Sequence, residues 1–374
     1  MEVLFEKAVP IKSRQAYRYD AWASILAGLF TGTIMPFYLL IARKSLDASP
    51  FLISLMTASL FIGNVLSLLS TNAMEGKRKM PFVVWPWYIG RGIFFLMLFA
   101  TTPLSFALIV SIGNCITSLA SPAYAAVMKD VYPDAHRGRI MGYVRALVAF
   151  SMMITTLTAG WMMKIIGYEW LFPLGAVFGI LSAYFFSKIK TPSPSSIEIA
   201  AKRSTLKFLH SSFSILKHNR GFRWFAISVV IYGLGTLILS PVYPLYQADK
   251  LGLTYRQLAM LTIGQNVAWM FAYIYWGKYI DMRSPLRATV VNVYLAVLVP
   301  MGYFFAWNWW ALAPAHLIAG ITNAGIEMAY FSAVLSFSGE GRTSHYQALF
   351  AFIGGIRGIF APSIGGALVE GFVR

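Results

Sequence analysis

Polar side chains recur along one face of an otherwise apolar segment near residues 309–337. They occupy positions i, i+7, i+11 and i+14, which share one side of an α-helix, and they are His316, Asn323, Glu327 and Tyr330. Ionisable groups in such a segment are costly and usually face a cavity or a partner. We expect Asn323, Glu327 and Tyr330 to contact a solute, with hydrogen bonding between helices as the alternative.

Three arginines also fall inside apolar segments: Arg91, Arg145 and Arg357. A guanidinium stays charged and binds carboxylate or phosphate through paired donors, so Arg145 and Arg357 predict an anionic solute. As the alternative, Arg357 pairs only with Glu327, and protonation of Glu327 would then release the arginine and couple a proton to the solute. For Arg91 a structural or snorkelling role is expected.

Helices that cross a bilayer are needed to position these side chains. Eleven stretches of about 20 mostly apolar residues match the ~30 Å hydrocarbon core, and in lipid a single chain segment satisfies its own backbone as a helix. Hydrophobic residues make up 58% of the chain and charged residues 12%. The sequence predicts an all-α polytopic membrane protein with spans at 20–43, 50–71, 81–101, 104–128, 138–163, 169–188, 222–246, 256–276, 287–306, 309–337 and 344–370.

The net charge of +17 is distributed unevenly along the chain. With the N-terminus in the cytoplasm, most of the 31 lysines and arginines lie in cytoplasmic segments, as the positive-inside rule expects. The charge therefore indicates orientation against anionic lipid and argues against a nucleic-acid partner. We expect a multi-pass protein of the inner or plasma membrane of the cell.

Several kinds of chemistry lack a motif in the sequence. Cys115 is the single cysteine, and the five histidines have no metal-ligand spacing, so neither a disulfide nor a metal site is predicted. No phosphate-binding loop appears, and no nucleophile–base pair lies at membrane depth. The sequence predicts no cofactor and no enzymatic activity.

The longest polar interval, about 189–221, separates six spans from five. Apolar residues at helical spacing in its second part favour an amphipathic helix at the cytoplasmic interface over a solvated linker. We therefore divide the chain into an N-terminal six-helix bundle (1–188), this linker, and a C-terminal five-helix bundle (222–374). A counterpart of the sixth span would fall beyond Arg374, so we expect either that a twelfth helix is absent or that the gene product is shortened.

The two halves repeat short motifs in the same order. Gly-Leu-x-Thr-(x4)-Pro-x-Tyr begins at Gly28 and again at Gly233, an offset of 205 residues. Leu-Ile-x-x-Ile-x-Asn ends at Asn114 and again at Asn323, an offset of 209. Six spans lie between the copies, so both share one topology and should be related by an axis along the membrane normal. The repeat adds Asn114 to the candidate solute contacts.

Two loops carry the features of a known family. Residues 122–142 follow the pattern Pro-(x7)-Asp-x-x-Pro-(x3)-Arg-Gly-(x3)-Gly, and residues 277–287 are similar to Gly-(x3)-Asp-Arg-x-Gly-Arg-Arg with displaced basic residues and Ser284 in place of the second glycine. The specific positions are Asp130, Arg137, Gly138, Gly277, Asp281 and Arg283. In these loops and in its repeat the chain resembles the major facilitator superfamily of transporters.

The resemblance implies two helical bundles that open a central cavity to each side of the membrane in turn. In the family the loop aspartate belongs to a cytoplasmic latch, a role that falls here to Asp281 with Arg342, while Glu75 stands in for the aspartate of the first half. Alternatively these charges only solvate turns. The resemblance also places Gln265 and Asn266 on a cavity-lining helix.

Proline and tyrosine recur toward the outer ends of the first and seventh spans, as Pro36, Tyr38, Pro241 and Tyr243. Proline frees a helix carbonyl and permits a bend, so these pairs are candidate gates. Tyrosine as an ordinary residue of the membrane interface is the alternative.

The sequence thus predicts a secondary transporter that moves a small organic solute, expected to be anionic, by rocker-switch alternating access, with the proton as the candidate coupling ion. Efflux of lipophilic compounds is the alternative, because 16% aromatic residues and 17 methionines suit an adaptable apolar pocket. A transporter-like receptor or assembly protein is a third reading. We expect the chain to act as a monomer.

Overall fold

The computed structural model describes residues 3–74, 77–191, 214–338 and 343–373. All regular secondary structure in these ranges is helical. Within them, nine helices are long and apolar enough to cross a membrane. The exact division into six and five spanning helices stays a prediction, because Ile140–Ser187 forms one long apolar stretch and Tyr255–Met282 is not among the nine.

The chain forms two compact units, Met1–Ser204 and Thr205–Arg374. In the described residues of the first unit the helices are α1 (Arg14–Ile34), α2 (Tyr38–Lys44), α3 (Pro50–Met74), α4 (Pro81–Gly92), α5 (Pro103–Ser118), α6 (Ser121–Val131) and α7 (Asp134–Ser187). A 3-10 helix, Ile93–Phe99, continues α4. Proline at the start of α3, α4 and α5 fits helix initiation, because the first turn has no use for its missing N–H.

The second unit holds α8 (Arg220–Leu239), α9 (Val242–Leu245), a π-helical turn (Tyr246–Lys250), α10 (Tyr255–Met282), α11 (Pro285–Ala296), α12 (Leu298–Phe305), α13 (Ala313–Ser338) and α14 (Thr343–Val373). The boundary between the units falls inside the predicted linker. Most of the amphipathic helix predicted there lies outside the described residues, as do Glu75 and Arg342.

Helix α7 is interrupted where the fifth predicted span gives way to the sixth. Gly167 has φ 73° and ψ 170°, a backbone conformation that residues with a Cβ rarely adopt. The long helix is therefore two arms joined at a glycine.

Both copies of the repeated proline interrupt a helix, as their sequence context predicts. Helix α1 ends at Ile34 and α2 begins at Tyr38, on either side of Pro36. Helix α8 ends at Leu239, and Pro241 caps α9. The repeat therefore extends from sequence to backbone geometry.

Small residues allow close helix packing within each unit. Gly28 of α1 lies against Ser151 and the carbonyl of Val148 on α7, and Gly320 of α13 lies against the backbone of Gln265 on α10. A methyl group at either glycine would overlap main-chain atoms. Packing through small residues is the usual way that helices associate in lipid.

The residues before α1 pack onto the first unit. Val9 is 2% exposed, the ring of Phe5 stacks on Tyr143 of α7 at 4.6 Å, and Tyr17 Oη donates to the carbonyl of Leu4 at 2.7 Å. The side chain of Arg18 pairs with Glu6. The hydrogen bond from Arg18 and a second one from the backbone N–H of Val3 lower the pKa of Glu6 below its ordinary value.

Candidate functional site

The guanidinium of Arg357 lies inside the second unit and forms no ion pair with a carboxylate of the described residues. From α14 its Nη1 donates to the carbonyl of Val229 on α8, and the group covers Gly233, where a Cβ would overlap it. Among the residues that the structure describes, its Nε is buried without a hydrogen-bond partner. Tyr232 and Tyr330 are neighbouring phenols. One donor of a permanently charged group is therefore unused.

Tyr330 supplies a second unused polar group in the same unit. Its side chain is 6% exposed and packs edge-on against Phe225 and Phe350, with ring centroids at 5.9 and 5.6 Å. Its hydroxyl is buried without a hydrogen-bond partner. Buried hydroxyls are usually bonded, so an orphan of this kind needs an explanation.

The other two predicted contacts of α13, Asn323 and Glu327, are exposed in the second unit. No ion pair between Glu327 and Arg357 exists in the described part of the chain. The alternative in which Arg357 serves only to pair with Glu327 is therefore absent from this structure.

The internal repeat provides a comparison for Arg357. Gly28 and Gly233 are matched positions, and the side chain packed on Gly28 is Ser151, whereas the side chain packed on Gly233 is Arg357. A serine is sufficient to complete this helix crossing in the first unit. The crossing itself therefore does not require a guanidinium.

His316 is the centre of a buried hydrogen-bond network that joins four elements of the second unit. Its Nδ1 lies 3.0 Å from Oε1 of Gln265 on α10. Its Nε2 lies 3.3 Å from Nε2 of Gln247 in the π-helical turn and 3.2 Å from Oη of Tyr303 on α12. Gln247 also donates to Tyr303 Oη at 2.7 Å. Of these residues the sequence-based site contained only Gln265.

The remaining polar residue predicted on α10 is Asn266. Its side-chain nitrogen is buried without a hydrogen-bond partner, so the donor stays available.

In the first unit, Asn114 takes part in helix packing. It is 2% exposed and its Nδ2 donates to Ser59 Oγ on α3 at 3.1 Å. Its repeat partner Asn323 is exposed, so the two matched asparagines have different surroundings. Arg145 is exposed on α7.

Arg91 is buried among polar atoms and rings of the first unit. Its Nη1 donates to the carbonyl of Gly179 at 3.1 Å and to Ser182 Oγ at 2.8 Å, and the guanidinium lies 4.3 Å from the ring centroid of Trp87. These contacts tie α4 to the second arm of α7 and give Arg91 a structural role.

The predicted latch residues occupy different surroundings. Asp130 pairs with Lys79 at 2.8 Å, which joins the end of α6 to the residues before α4. Asp281 and Arg283 are exposed at the end of α10, and Gly277 packs near Met328 of α13. Arg137 and Gly138 lie in the first turns of α7, but their side chains are outside the described part. The latch stays a prediction.

The candidate gating tyrosines are both packed inside their own units. Tyr38 is 6% exposed, and Tyr243 stacks on Tyr303 with ring centroids 4.1 Å apart. Tyr243 is therefore connected to the His316 network through Tyr303.

Sequence reasoning missed a buried carboxylate in the first unit. Asp20, at the start of the first predicted span, is 1% exposed and accepts a hydrogen bond from Tyr132 Oη at 2.8 Å. Burial, with the neighbouring Asp20 carboxylate, raises the pKa of Tyr132, so the phenol stays a donor. The sequence feature that could have revealed Asp20 is an acidic residue in the first turn of an apolar segment.

Comparison with protein families and curated proteins identifies related sequences. The family model described as Major Facilitator Superfamily matches residues 21–362. The chain is 22% identical over 273 residues to the quinolone resistance protein NorA of Staphylococcus aureus (strain MSSA476). That alignment covers 69% of this chain and 65% of NorA, so the chain spans about two thirds of the length of this relative.

Solved structures share the fold at low sequence identity. The nucleoside transporter NupG superimposes with a TM-score of 0.74 over 96% of this chain and 92% of NupG, at 13% identity. A bacterial homologue of the human lysosomal transporter Spinster, in an inward-facing and unoccupied conformation, gives a TM-score of 0.67 over 96% of this chain and 83% of its own, at 14% identity.

Proposed function

We propose, on the premise that this chain belongs to the major facilitator superfamily, that it is a secondary transporter of small organic anions. Membership of the family makes it a multi-pass membrane transporter of small molecules and not an enzyme. Anion preference, rocker-switch alternating access and a coupling ion are the parts that we propose.

The observation that carries the anion proposal is the state of Arg357. Its guanidinium is partly buried, has a backbone carbonyl as its hydrogen-bond acceptor, and keeps Nε unused. An unpaired charge inside a protein is costly, and the repeat indicates that a serine can complete the same crossing. A carboxylate that accepts from Nε–H, with the phenol of Tyr330 as a second donor, would neutralise the charge and use both orphan groups.

Thermal unfolding of the detergent-purified protein against a panel of small carboxylates, neutral solutes and lipophilic cations tests this proposal. A ligand of the folded state raises the unfolding temperature according to RT ln(1 + [L]/Kd). We expect stabilisation by at least one carboxylate, abolished by Arg357→Gln. The matched control is Arg287→Gln, which removes an exposed arginine of α11 from the same unit and should leave the stabilisation intact.

Efflux of lipophilic compounds is the second candidate, favoured by the similarity to a quinolone resistance protein. In this case quinolones or lipophilic cations would stabilise the protein, carboxylates would not, and Arg357→Gln would have no effect on the shift. This outcome would replace the anion proposal.

A further inference from the structure

We propose that His316 is a proton-binding site whose protonation releases the segment Pro241–Lys250. The role of His316 as the coupling site of transport rests on the proposed function. Its proton binding and the local release do not depend on any solute.

The hydrogen bonds define one protonation state of the imidazole. With Oε1 of Gln265 facing it at 3.0 Å, Nδ1 must carry the hydrogen, because an amide oxygen only accepts. The donors Gln247 Nε2 and Tyr303 Oη are then both directed at His316 Nε2, which accepts through its lone pair. The network therefore holds neutral His316 with its hydrogen on Nδ1.

A proton from water that binds to Nε2 uses this lone pair and turns the acceptor into a donor. Gln247 and Tyr303 then lose their acceptor together. In the orientation that Gln247 and Tyr303 hold, a donor of each side chain faces Nε2, so the new N–H has no acceptor there.

The first unit shows that the fold does not need these polar groups. By the repeat, Ala42 corresponds to Gln247 and Ala107 to His316, and both alanines are fully buried. The same backbone hydrogen bond closes the turn in each unit, from Ala48 to Ala42 at 2.8 Å and from Leu253 to Gln247 at 2.9 Å. Two apolar positions of one unit are therefore a histidine and a glutamine in the other.

The residues that His316 contacts belong to the segment after the helix break. Gln247 lies in the π-helical turn, a rare conformation that is frequent at functional sites. Tyr303 carries the stacked ring of Tyr243, two residues after Pro241. Loss of both hydrogen bonds to Nε2 therefore weakens the attachment of Pro241–Lys250 to α12 and α13.

Other titratable groups around the network do not supply an alternative proton acceptor inside it. The tyrosines of α9, the π-helical turn and α12 are Tyr243, Tyr246 and Tyr303, and Tyr246 Oη donates to the carbonyl of Ala306 at 2.7 Å. The charged residues of the π-helical turn, α10 and α13 are all exposed: Asp249, Lys250, Arg256, Lys278, Asp281 and Glu327. His316 is therefore the group in this network that can gain a proton.

Hydrogen–deuterium exchange of the purified protein, without any solute, tests the release directly. Exchange of peptides covering residues 241–254 is compared between about pH 7.5 and about pH 4, a range that extends below the usual titration range of histidine, after correction for the intrinsic rate. Loss of two ordinary hydrogen bonds predicts about tenfold faster exchange at the lower pH. His316→Gln, which retains a donor and an acceptor without binding a proton, should show no such change.

His218→Gln is the matched control, because His218 is exposed and outside the network; it should behave as the unmodified chain does. Exchange of 241–254 that is independent of pH in the unmodified protein, or equally dependent in His316→Gln, overturns the proposal.

Proton movement driven by a carboxylate in proteoliposomes tests the coupling role. Coupling at His316 is supported if His316→Gln loses this proton movement and keeps the stabilisation by carboxylate. Carboxylate-driven proton movement that persists in His316→Gln overturns coupling at this residue while leaving the anion proposal intact, and absence of any carboxylate stabilisation overturns the anion proposal instead.

Discussion

Two arginines inside apolar segments show how the same side chain can have different roles in one protein. Arg91 is buried, with hydrogen bonds to a carbonyl and a hydroxyl and a tryptophan ring centroid 4.3 Å from the guanidinium, although its Nε, like that of Arg357, has no partner among the described residues. Arg357 has one carbonyl acceptor and lies over a glycine. Both arginines lie inside apolar segments of the sequence. The difference between them therefore lies in the partners that the fold brings together.

If Arg91 is structural, its replacement should change stability without changing ligand binding. Arg91→Ala leaves a void beside Trp87 and is expected to destabilise the protein by about 2–4 kcal/mol. Arg91→Met fills most of the volume without a charge and should be close to neutral, because apolar replacements of buried ionic groups often are. Thermal unfolding measures both variants. A carboxylate shift that disappears in Arg91→Met would contradict the structural role.

At the scale of elements, crossings between helices depend on where a glycine is placed. Gly320 of α13 faces the backbone of Gln265, whereas a Cβ on Gly264 of α10 would meet only the Leu317 side chain, at 3.7 Å, an ordinary contact. Both are interior helix positions, so intrinsic helix propensity favours alanine at each by up to about 1 kcal/mol. Packing therefore decides the sign of the substitution.

We expect Gly320→Ala to destabilise the second unit by about 1–3 kcal/mol, since the methyl group overlaps main-chain atoms and forces α10 and α13 apart. Gly264→Ala should be neutral or slightly stabilising. Parallel thermal unfolding of the two variants measures the difference. Equal unfolding temperatures would mean that the crossing can relax to accept a methyl group.

Much of the element scale could be predicted from the sequence, and much of the site could not. Apolar length predicted helices, and Pro36 and Pro241 predicted the two interruptions, because both signals are local. Two of the three partners of His316 are a glutamine in a π-helical turn and a tyrosine on another helix, and no spacing along the chain relates them. The repeat contained the available clue. The matched positions of the first unit are alanines, so Gln247 and His316 are polar residues where the other unit has apolar ones.

At the scale of the whole molecule, the basic residues predict how the chain is oriented. Positive charge in the segments assigned to the cytoplasm predicts that the N-terminus lies in the cytoplasm. Seven predicted spans then separate Lys12 from Asp249, so these two exposed residues should lie on opposite sides of the membrane.

Labelling of introduced cysteines by a membrane-impermeant maleimide checks this orientation. In a Cys115→Ser background, Asp249→Cys should react in intact cells, whereas Lys12→Cys should react only after the membrane is permeabilised. The reverse pattern would mean that the predicted topology is inverted. Reaction of both cysteines in intact cells would mean that the two positions lie on the same side and are separated by an even number of spans.

The contact between Phe5 and Tyr143 has a consequence for biosynthesis. A ribosome adding about 5–20 residues per second makes Tyr143 roughly 7–28 s after Phe5. During that interval the residues before α1 lack the surface on which they pack in the finished first unit. The residues before α1 are thus made well before the surface that they contact, and a bulky fusion that restrains them would act on the nascent chain before it acts on the mature protein.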